Sequence, residues 1–198
     1  NPTTVYNGVD YKLVYDYNYY INKYPDIKAA FNGDENATLR HFVECGMNEG
    51  RQGKASFNVA AYRANYADLR SAFGRNLKAY YMHYIGSGYR EGRKATGNGV
   101  LKNPVTVYNG VDYSLVYDYN YYISKYSDLK AAFYGDDTAA LRHFVECGMN
   151  EGRQAKDSFN VKKYKNRYND LQNAFGNDLK SYYMHYIGSG YKEGRKGN

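Results

Sequence analysis

The sequence predicts a mainly α-helical protein with two similar lobes, each a small β-hairpin followed by two helical sub-repeats of about 42 residues. Two internal periods support this fold class. The segment VYNGVDY begins at Val5 and again at Val107, and the segments HFVECGMNEGRQ and YYMHYIGSGY recur with the same offset of 102 residues. Inside each half, Tyr20, His41 and Arg51 return as tyrosine, histidine and arginine 42 positions later. The chain is therefore a duplication of an earlier duplication.

The two periods also predict the boundaries of the segments. The first lobe is expected at 1–98, with a hairpin at 4–15 and sub-repeats at 16–53 and 57–95. The second lobe is expected at 99–198, with a hairpin at 106–117 and sub-repeats at 118–155 and 159–197. The glycine-containing segment 94–103 is expected to join the lobes.

Each sub-repeat contains the signals of short helices. Aspartate or asparagine stands at the N-cap of the first helix and again at the N-cap of the last. The caps of the first helices are Asp16, Asn58, Asp118 and Asn160, and those of the last helices are Asp34, Asn76, Asp136 and Asp178. Pro25 suits the first turn of a helix that lies between them. The last helices are expected to end in left-handed caps at Gly46, Gly88, Gly148 and Gly190.

The lead-in of each lobe predicts a β-hairpin. Asn7-Gly8 and Asn109-Gly110 are flanked by alternating residues, which is the sequence signal of a type I′ turn. In that register one face of the hairpin carries Tyr6, Val9, Tyr11, Leu13 and Tyr15. A lone hairpin is not stable in water, so this face is expected to lie on the helices or on a ligand.

The composition restricts the class of protein. There are 27 tyrosines and no tryptophan, so the core must contain many rings whose hydroxyls need a partner or water. The net charge of +7 permits an anionic partner, but lysine and arginine are interleaved with 20 acidic residues, which argues against nucleic acid. No apolar stretch approaches the length of a membrane span, and we expect no signal peptide within these residues. We expect no membrane insertion, and the chain is expected to be a fragment of a larger protein.

Chemically reactive residues do not form a recognisable catalytic or metal site. His41 and Cys45 share a helix face, but serine replaces the cysteine in the second sub-repeats, at Ser87 and Ser189, and no further zinc ligand has the usual spacing. The prominent acidic residues are all duplicated, and no known catalytic motif is present. We expect no catalytic residue, metal or cofactor. Cys45 and Cys147 are expected to be small buried thiols, with a bridge between lobes as the alternative.

Recurrence separates scaffold from candidate binding residues. Positions that are equivalent in all four sub-repeats, such as Tyr20, Tyr24, Phe31 and Phe42, are assigned to the core. The Glu-Gly-Arg triplets are interpreted as turns in which Glu and Arg pair with each other or with the backbone, with sugar binding as the alternative. Tyrosines that occur once per lobe are instead candidates for exposure and ligand binding. They are Tyr11, Tyr15, Tyr19, Tyr80, Tyr89, Tyr113, Tyr117, Tyr121, Tyr182 and Tyr191. The alternative for each ring is that it belongs to the core.

The pattern YNYYINKYPDIKAAF…LRHFVECGMNEGR resembles a family of tyrosine-rich repeats of roughly 40 residues that end in G-x-x-E-G-R and occur in secreted proteins of gut clostridia. The resemblance covers all four sub-repeats but not the hairpins. The doubled form is similar to the two-lobed starch-binding domain of ruminococcal starch-adherence (amylosome) proteins. The resemblance implies a polysaccharide partner (starch, amylopectin or maltooligosaccharides), a secreted or cell-surface location within a larger multidomain protein, and no catalysis.

The surplus tyrosines and the resemblance together predict a non-catalytic carbohydrate-binding module for α-1,4-glucan. Aromatic rings stack on the C–H faces of a sugar while neighbouring polar groups bind its hydroxyls. Two alternatives stay open: a module that anchors to cell-wall peptidoglycan or teichoic acid, and a scaffold for another protein.

Overall fold

Short capped helices make up most of the chain, which confirms the mainly α fold with two similar halves. The computed structural model describes residues 2–31 and 33–198. It contains two compact units, Asn1–Lys102 and Asn103–Asn198, called the first and second unit below. Each unit begins with a two-stranded hairpin and continues with six helices in its described residues.

The elements have the same order and nearly the same lengths in both units. The first unit contains β1 Val5–Tyr6, β2 Val9–Asp10, α1 Tyr17–Lys23, α2 Pro25–Phe31, α3 Glu35–His41, α4 Val59–Asn65, α5 Ala67–Phe73 and α6 Leu77–His83. The second contains β3 Val107–Tyr108, β4 Val111–Asp112, α7 Tyr119–Lys125, α8 Ser127–Phe133, α9 Asp137–His143, α10 Val161–Arg167, α11 Asn169–Phe175 and α12 Leu179–His185.

The predicted N-caps are confirmed at all eight positions. Asp16, for example, accepts a hydrogen bond from the Tyr19 backbone N–H at 2.8 Å, which satisfies a donor at the start of α1. The other caps do the same for the helices that follow them. Tyr24 has an extended backbone between α1 and α2, so the first helix stops after seven residues. The Tyr24 hydroxyl then accepts a hydrogen bond from the Gln52 backbone N–H at 2.8 Å.

The expected left-handed caps at Gly46 and its three equivalents are wrong. The last helix of each sub-repeat instead runs into a π-helical turn, in which Met47 N–H donates to the Phe42 carbonyl. Glycine is required at position 46 because an added Cβ would lie 2.6 Å from the Tyr20 hydroxyl oxygen. The left-handed conformation falls four residues later, at Gly50, with φ 73°. The equivalent residues in the other sub-repeats are Gly92, Gly152 and Gly194.

The hairpins are shorter than predicted. Val5 pairs with Asp10 and Tyr6 with Val9, and Asn7 and Gly8 both have positive φ, as a type I′ turn requires. The strand does not continue to residue 15. The Tyr11 carbonyl accepts hydrogen bonds from the backbone N–H groups of residues 14 and 15, which makes a helical turn there. Strand β2 therefore ends at Asp10, and β4 likewise ends at Asp112.

A continuous aromatic core joins the two sub-repeats of the first unit. The Phe42 ring lies 5.0 Å from Tyr15 and 5.8 Å from Tyr81, measured between ring centroids. Phe57, which precedes α4, lies 5.0 Å from Tyr81 on its other side. Phe144 and Phe159 make the equivalent contacts in the second unit. The turn after the hairpin, the first sub-repeat and the second sub-repeat therefore share one core in each unit.

Each sub-repeat is closed on itself by a backbone hydrogen bond. The Asp16 N–H donates to the Gly53 carbonyl at 2.9 Å, and the Asn58 N–H donates to the Ala95 carbonyl at 2.8 Å. The same closure recurs in the second unit, where Asp118 donates to Ala155 and Asn160 donates to Gly197. The first and last residues of every sub-repeat therefore lie next to each other.

The segment expected to join the lobes is bonded to the first unit. Asn65 Nδ2 donates to the backbone carbonyl oxygens of Lys94 and Thr96, and the Lys102 N–H donates to the Ala64 carbonyl at 2.9 Å. The units divide after Lys102, whereas the sequence periods place the division after residue 98. None of the helices within residues 2–31 and 33–198 combines the length and the apolarity that crossing a bilayer requires.

Candidate functional site

Six of the ten candidate tyrosines are buried, so the expectation that they are exposed is wrong. All six have relative exposures of 4% or less. They are Tyr11, Tyr15 and Tyr80 in the first unit and Tyr113, Tyr117 and Tyr182 in the second. Occurrence once per lobe does not by itself make a ring available to a ligand.

Tyr80 shows why occurrence once per lobe does not predict exposure. Its ring packs edge-on against Phe73 with centroids 5.3 Å apart, and its hydroxyl donates to the Gly74 carbonyl at 2.8 Å. Thr38, at the same place in the first sub-repeat, is also fully buried. The position thus belongs to the core in both sub-repeats, and only the size of the side chain differs.

Tyr15 and Tyr117 belong to the core in another way. The Tyr15 ring packs against the rings of Phe42 and Tyr20, and Tyr117 packs in the equivalent way. Among the described residues, neither buried hydroxyl has a hydrogen-bond partner. Burial raises the pKa of both hydroxyls, so they stay protonated at any physiological pH.

Tyr19 and Tyr121 line equivalent open depressions, one in each unit. The first-unit depression has a volume of about 270 Å³ and is lined by Asp16, Tyr19, Lys54, Ala55 and Ser56. The second-unit depression has a volume of about 290 Å³ and is lined by Asp118, Tyr121, Lys156, Asp157 and Ser158. Both tyrosines are half-buried. These are the candidate binding sites.

Helix α1 positions the ring of the first-unit depression. Asp16 caps the helix by accepting from the Tyr19 backbone N–H, so the carboxylate and the ring stand at the same helix end. Lys23 lies one turn later, and its Nζ is 5.4 Å from the Tyr19 ring centroid and 3.2 Å from the Tyr19 hydroxyl oxygen. This ammonium group orients the ring through a cation–π contact and a hydrogen bond.

The other wall is a turn that is tied to α1. Lys23 Nζ donates to Gln52 Oε1 at 2.7 Å, and Gln52 Nε2 donates to the Lys54 carbonyl at 3.1 Å. Lys54 Nζ reaches the Lys12 carbonyl at 2.6 Å, and Lys54 pairs with Phe57 in an isolated antiparallel bridge. Because Phe57 is fully buried, the turn is anchored to the core.

The second unit repeats this construction. Lys125 Nζ lies 5.1 Å from the Tyr121 ring centroid and 2.9 Å from its hydroxyl oxygen, and it donates to Gln154 Oε1 at 2.6 Å. Lys156 Nζ donates to the Ser114 carbonyl, as Lys54 does to that of Lys12. Both units therefore have the same arrangement of a tyrosine, a lysine and a glutamine at an open depression.

The sequence-based prediction missed the polar residues of these sites, although the signal was present. Lys23, Gln52 and Lys54 recur in the second unit as Lys125, Gln154 and Lys156. The second sub-repeats have other residues at these places; position 94, for example, is lysine where position 52 is glutamine. These polar residues, like the candidate tyrosines, occur twice but not four times in the chain. The same recurrence therefore indicates them.

A further depression adjoins the first one. It has a volume of about 250 Å³, and two of its lining residues, Asp16 and Lys54, also line the first-unit depression. Its other lining residues are Pro2, Thr4, Lys12, Tyr15, Tyr17 and Asn18. The first-unit site therefore continues along the surface toward the hairpin.

Tyr89 and Tyr191 are the two candidate tyrosines that are most exposed, at 56% each. Each packs edge-on against one ring, Tyr84 or Tyr186, at a centroid distance of 5.9 Å. They line none of the three depressions described above. Their role in ligand binding stays a prediction.

The Glu-Gly-Arg triplets pair internally, as the sequence predicts. Arg51 Nε contacts Glu49 at 2.5 Å, Arg51 Nη1 contacts Asp26 at 2.8 Å, and the guanidinium lies 5.0 Å from the Tyr24 ring centroid. The hydrogen bond from Arg51 lowers the pKa of the Asp26 carboxyl. Arg93, Arg153 and Arg195 form the same cluster in the other sub-repeats. These guanidinium groups are already engaged in the scaffold.

The histidines also have structural partners. His41 Nδ1 lies 3.2 Å from the Tyr20 hydroxyl, and the equivalent pairs occur in all four sub-repeats. No group of three or more potential metal ligands occurs within residues 2–31 and 33–198. The expectation that Cys45 and Cys147 are buried is wrong, because both are exposed free thiols. Each follows a glutamate on the outer side of a π-helical turn, whose buried side carries phenylalanine, valine and glycine.

The fold and the depressions define a structural class, a helical tandem-repeat protein with a shallow tyrosine-lined site in each unit. Comparisons with protein-family models, with curated proteins and with solved structures found no match. The chemistry of the depressions is a partly exposed aromatic ring beside hydroxyl, ammonium and carboxylate groups. Such a surface can bind a neutral, hydroxyl-rich ligand.

Proposed function

We propose that the chain is a non-catalytic carbohydrate-binding module for a starch-like α-1,4-glucan, with one site in each unit. The duplicated depression around Tyr19 and Tyr121 is the observation that supports this proposal. One side of a pyranose ring presents C–H groups, which pack on an aromatic face, while its rim presents hydroxyls. The lysine, serine and aspartate of each depression supply donors and acceptors for those hydroxyls.

The openness of the depressions favours a polymer over a monosaccharide. A chain can enter and leave an open depression at both ends, and the adjoining depression of the first unit offers room for a neighbouring sugar. Two sites on one chain also raise the effective concentration of the second contact once the first has formed. A secreted or cell-surface location within a larger multidomain protein completes the proposal and is supported by the family resemblance.

Replacing both Tyr19 and Tyr121 by alanine should abolish binding to amylopectin. Each single replacement should remove one of the two sites, because Tyr19 and Tyr121 are the aromatic rings that line the two depressions, and it should weaken affinity for the polymer about tenfold or more through loss of the second linked contact. Affinity electrophoresis in native gels with and without amylopectin measures this, with a β-linked glucan as the specificity control. Circular dichroism confirms that the variants are folded.

A double replacement of Tyr89 and Tyr191 by alanine compares the depressions with the exposed candidate rings that lie outside them, and this variant should be retarded less only if those rings also bind the glucan. Strong retardation that survives the loss of Tyr19 and Tyr121 would move the site elsewhere. Unretarded migration of the wild type in amylopectin would end the proposal. Incubation with amylose should create no new reducing ends, and their appearance would contradict a non-catalytic module.

Anchoring to an anionic cell-wall polymer is the second candidate, and one helix favours it. α10 carries Lys162, Lys163, Lys165 and Arg167 at the positions where α4 carries Ala60, Ala61, Arg63 and Asn65. In the described part of the chain, none of the four α10 cations forms an ion pair. Such a patch attracts a polyanion such as teichoic acid.

Gram-positive cell walls should retain the protein less after teichoic acid is removed if α10 binds this polymer. Replacing Lys162 and Lys163 by alanine gives α10 the residues that α4 has at the equivalent positions. This variant should also be retained less by intact walls at low salt. Equal retention by walls with and without teichoic acid would exclude this candidate.

A further inference from the structure

We infer that Asp157 makes the second-unit depression the tighter of the two glucan sites. This inference rests on the proposed function and concerns the difference between its two sites. The depressions have similar volumes and the same residue types at four lining positions. At the fifth position the first unit has Ala55, whereas the second has Asp157.

The Asp157 carboxylate is available to a ligand. The residue is exposed, and among the described residues its carboxylate accepts no hydrogen bond and forms no ion pair. Its backbone carbonyl accepts a long bond from Gln154 Nε2 at 3.4 Å, so the turn is held by the same glutamine that contacts Lys125. In the first unit Gln52 Nε2 makes the equivalent contact to the Ala55 carbonyl, also at 3.4 Å. The backbone of the turn is therefore matched, and the side chain is the difference.

Asp157 adds a second carboxylate to a depression that already has Asp118, whereas the first-unit depression has Asp16 alone. The Asp157 carboxylate is an acceptor with two oxygens, and adjacent sugar hydroxyls can donate to both of them. Hydrogen bonds to a charged acceptor are stronger than those between neutral groups. Because the depression is open, the carboxylate keeps part of its hydration when a sugar binds, so the loss of hydration does not cancel the gain. The methyl group of Ala55 offers no hydrogen bond.

Titration of the full chain with maltoheptaose by isothermal calorimetry tests this inference, one site at a time. The Tyr19→Ala variant retains the second site and the Tyr121→Ala variant retains the first. We expect the dissociation constant of the second site to be about three- to tenfold lower than that of the first.

Reciprocal exchange provides the matched controls. Adding Asp157→Ala to the Tyr19→Ala variant should weaken binding to the level of the first site. Adding Ala55→Asp to the Tyr121→Ala variant should strengthen binding to the level of the second, a gain that damage to the fold cannot produce. Asp157→Asn should give an intermediate affinity, because the amide keeps one acceptor oxygen but not the charge.

The outcomes separate this inference from the proposed function. If the wild type binds no maltoheptaose, both the proposed function and the inference about Asp157 are overturned. If both sites bind with equal affinity, or if neither exchange at positions 55 and 157 changes the affinity, the inference alone is overturned.

Discussion

Replacing Gly88 by alanine is expected to lower the free energy of unfolding of the first unit by about 2 to 3 kcal/mol. The added methyl carbon would lie 2.1 Å from the Tyr62 hydroxyl oxygen and 3.2 Å from His83 Nδ1. Tyr62 is fully buried, and its hydroxyl is hydrogen-bonded to His83 at 2.9 Å. The Tyr62 ring cannot move away without breaking that hydrogen bond and disturbing its packing on Phe57.

Gly86 is the matched control, because it lies in the same π-helical turn and an added Cβ there would have no atom within 4 Å. Gly86→Ala should leave stability unchanged or raise it by up to about 1 kcal/mol. Hydrogen exchange of peptides from residues 59–93 of the full chain measures both variants. Equal destabilisation by the two substitutions would contradict the steric explanation.

A double variant tests the contact itself. In Tyr62→Phe the hydroxyl that faces Gly88 is removed, at a cost of about 1 kcal/mol for the lost hydrogen bond to His83. Adding Gly88→Ala to this variant should cost less than it does in the wild type, because the closest atom is gone. Strict additivity of the two changes would show that they do not share this contact.

Replacing Phe42 by alanine should destabilise the first unit by about 3 to 5 kcal/mol. The ring is fully buried and contacts the turn at residues 11–15 through Tyr15, the first sub-repeat through Tyr20 and the second sub-repeat through Tyr81. Its loss leaves a cavity where these three parts meet. We therefore expect both sub-repeats of the first unit to lose stability together.

Hydrogen exchange distinguishes this outcome from a local effect. Peptides from α1 and from α6 should exchange faster to the same extent, whereas peptides from α7 to α12 should keep their protection. Phe31 is the control, because it is only half-buried and its ring centroid lies 5.4 Å from that of His41. Phe31→Ala should destabilise the first unit less than Phe42→Ala does. Faster exchange confined to the first sub-repeat would show that the two sub-repeats do not share one cooperative core.

The helix N-caps and the hairpin turns were predicted correctly. The eight N-caps and the Asn-Gly turns are determined by interactions within three or four residues, so the sequence pattern suffices to identify them. The role of Gly46 could not be predicted in this way. Glycine is needed there because of Tyr20, which lies 26 positions earlier in the chain. A left-handed cap and a close contact select the same residue for different physical reasons.

The candidate site was predicted only in part, for a similar reason. Recurrence shows which positions tolerate a different side chain, but it does not show whether that side chain points inward. Tyr80 fills a core position that Thr38 fills in the first sub-repeat, whereas Tyr19 lines a depression and its counterpart Ala61 is buried. Whether a ring is exposed depends on the volume that neighbouring helices leave, and this is a property of the three-dimensional packing.

The closure of each sub-repeat by one backbone hydrogen bond has a consequence for how such a gene can change. Asp16 and Gly53 are in contact, so a recombination event that inserts or removes one whole sub-repeat rejoins ends that already lie together. The number of sub-repeats can therefore change without the addition of a new linker sequence. The residues of each added copy can then diverge by point mutation, as the pair Ala61 and Tyr19 illustrates.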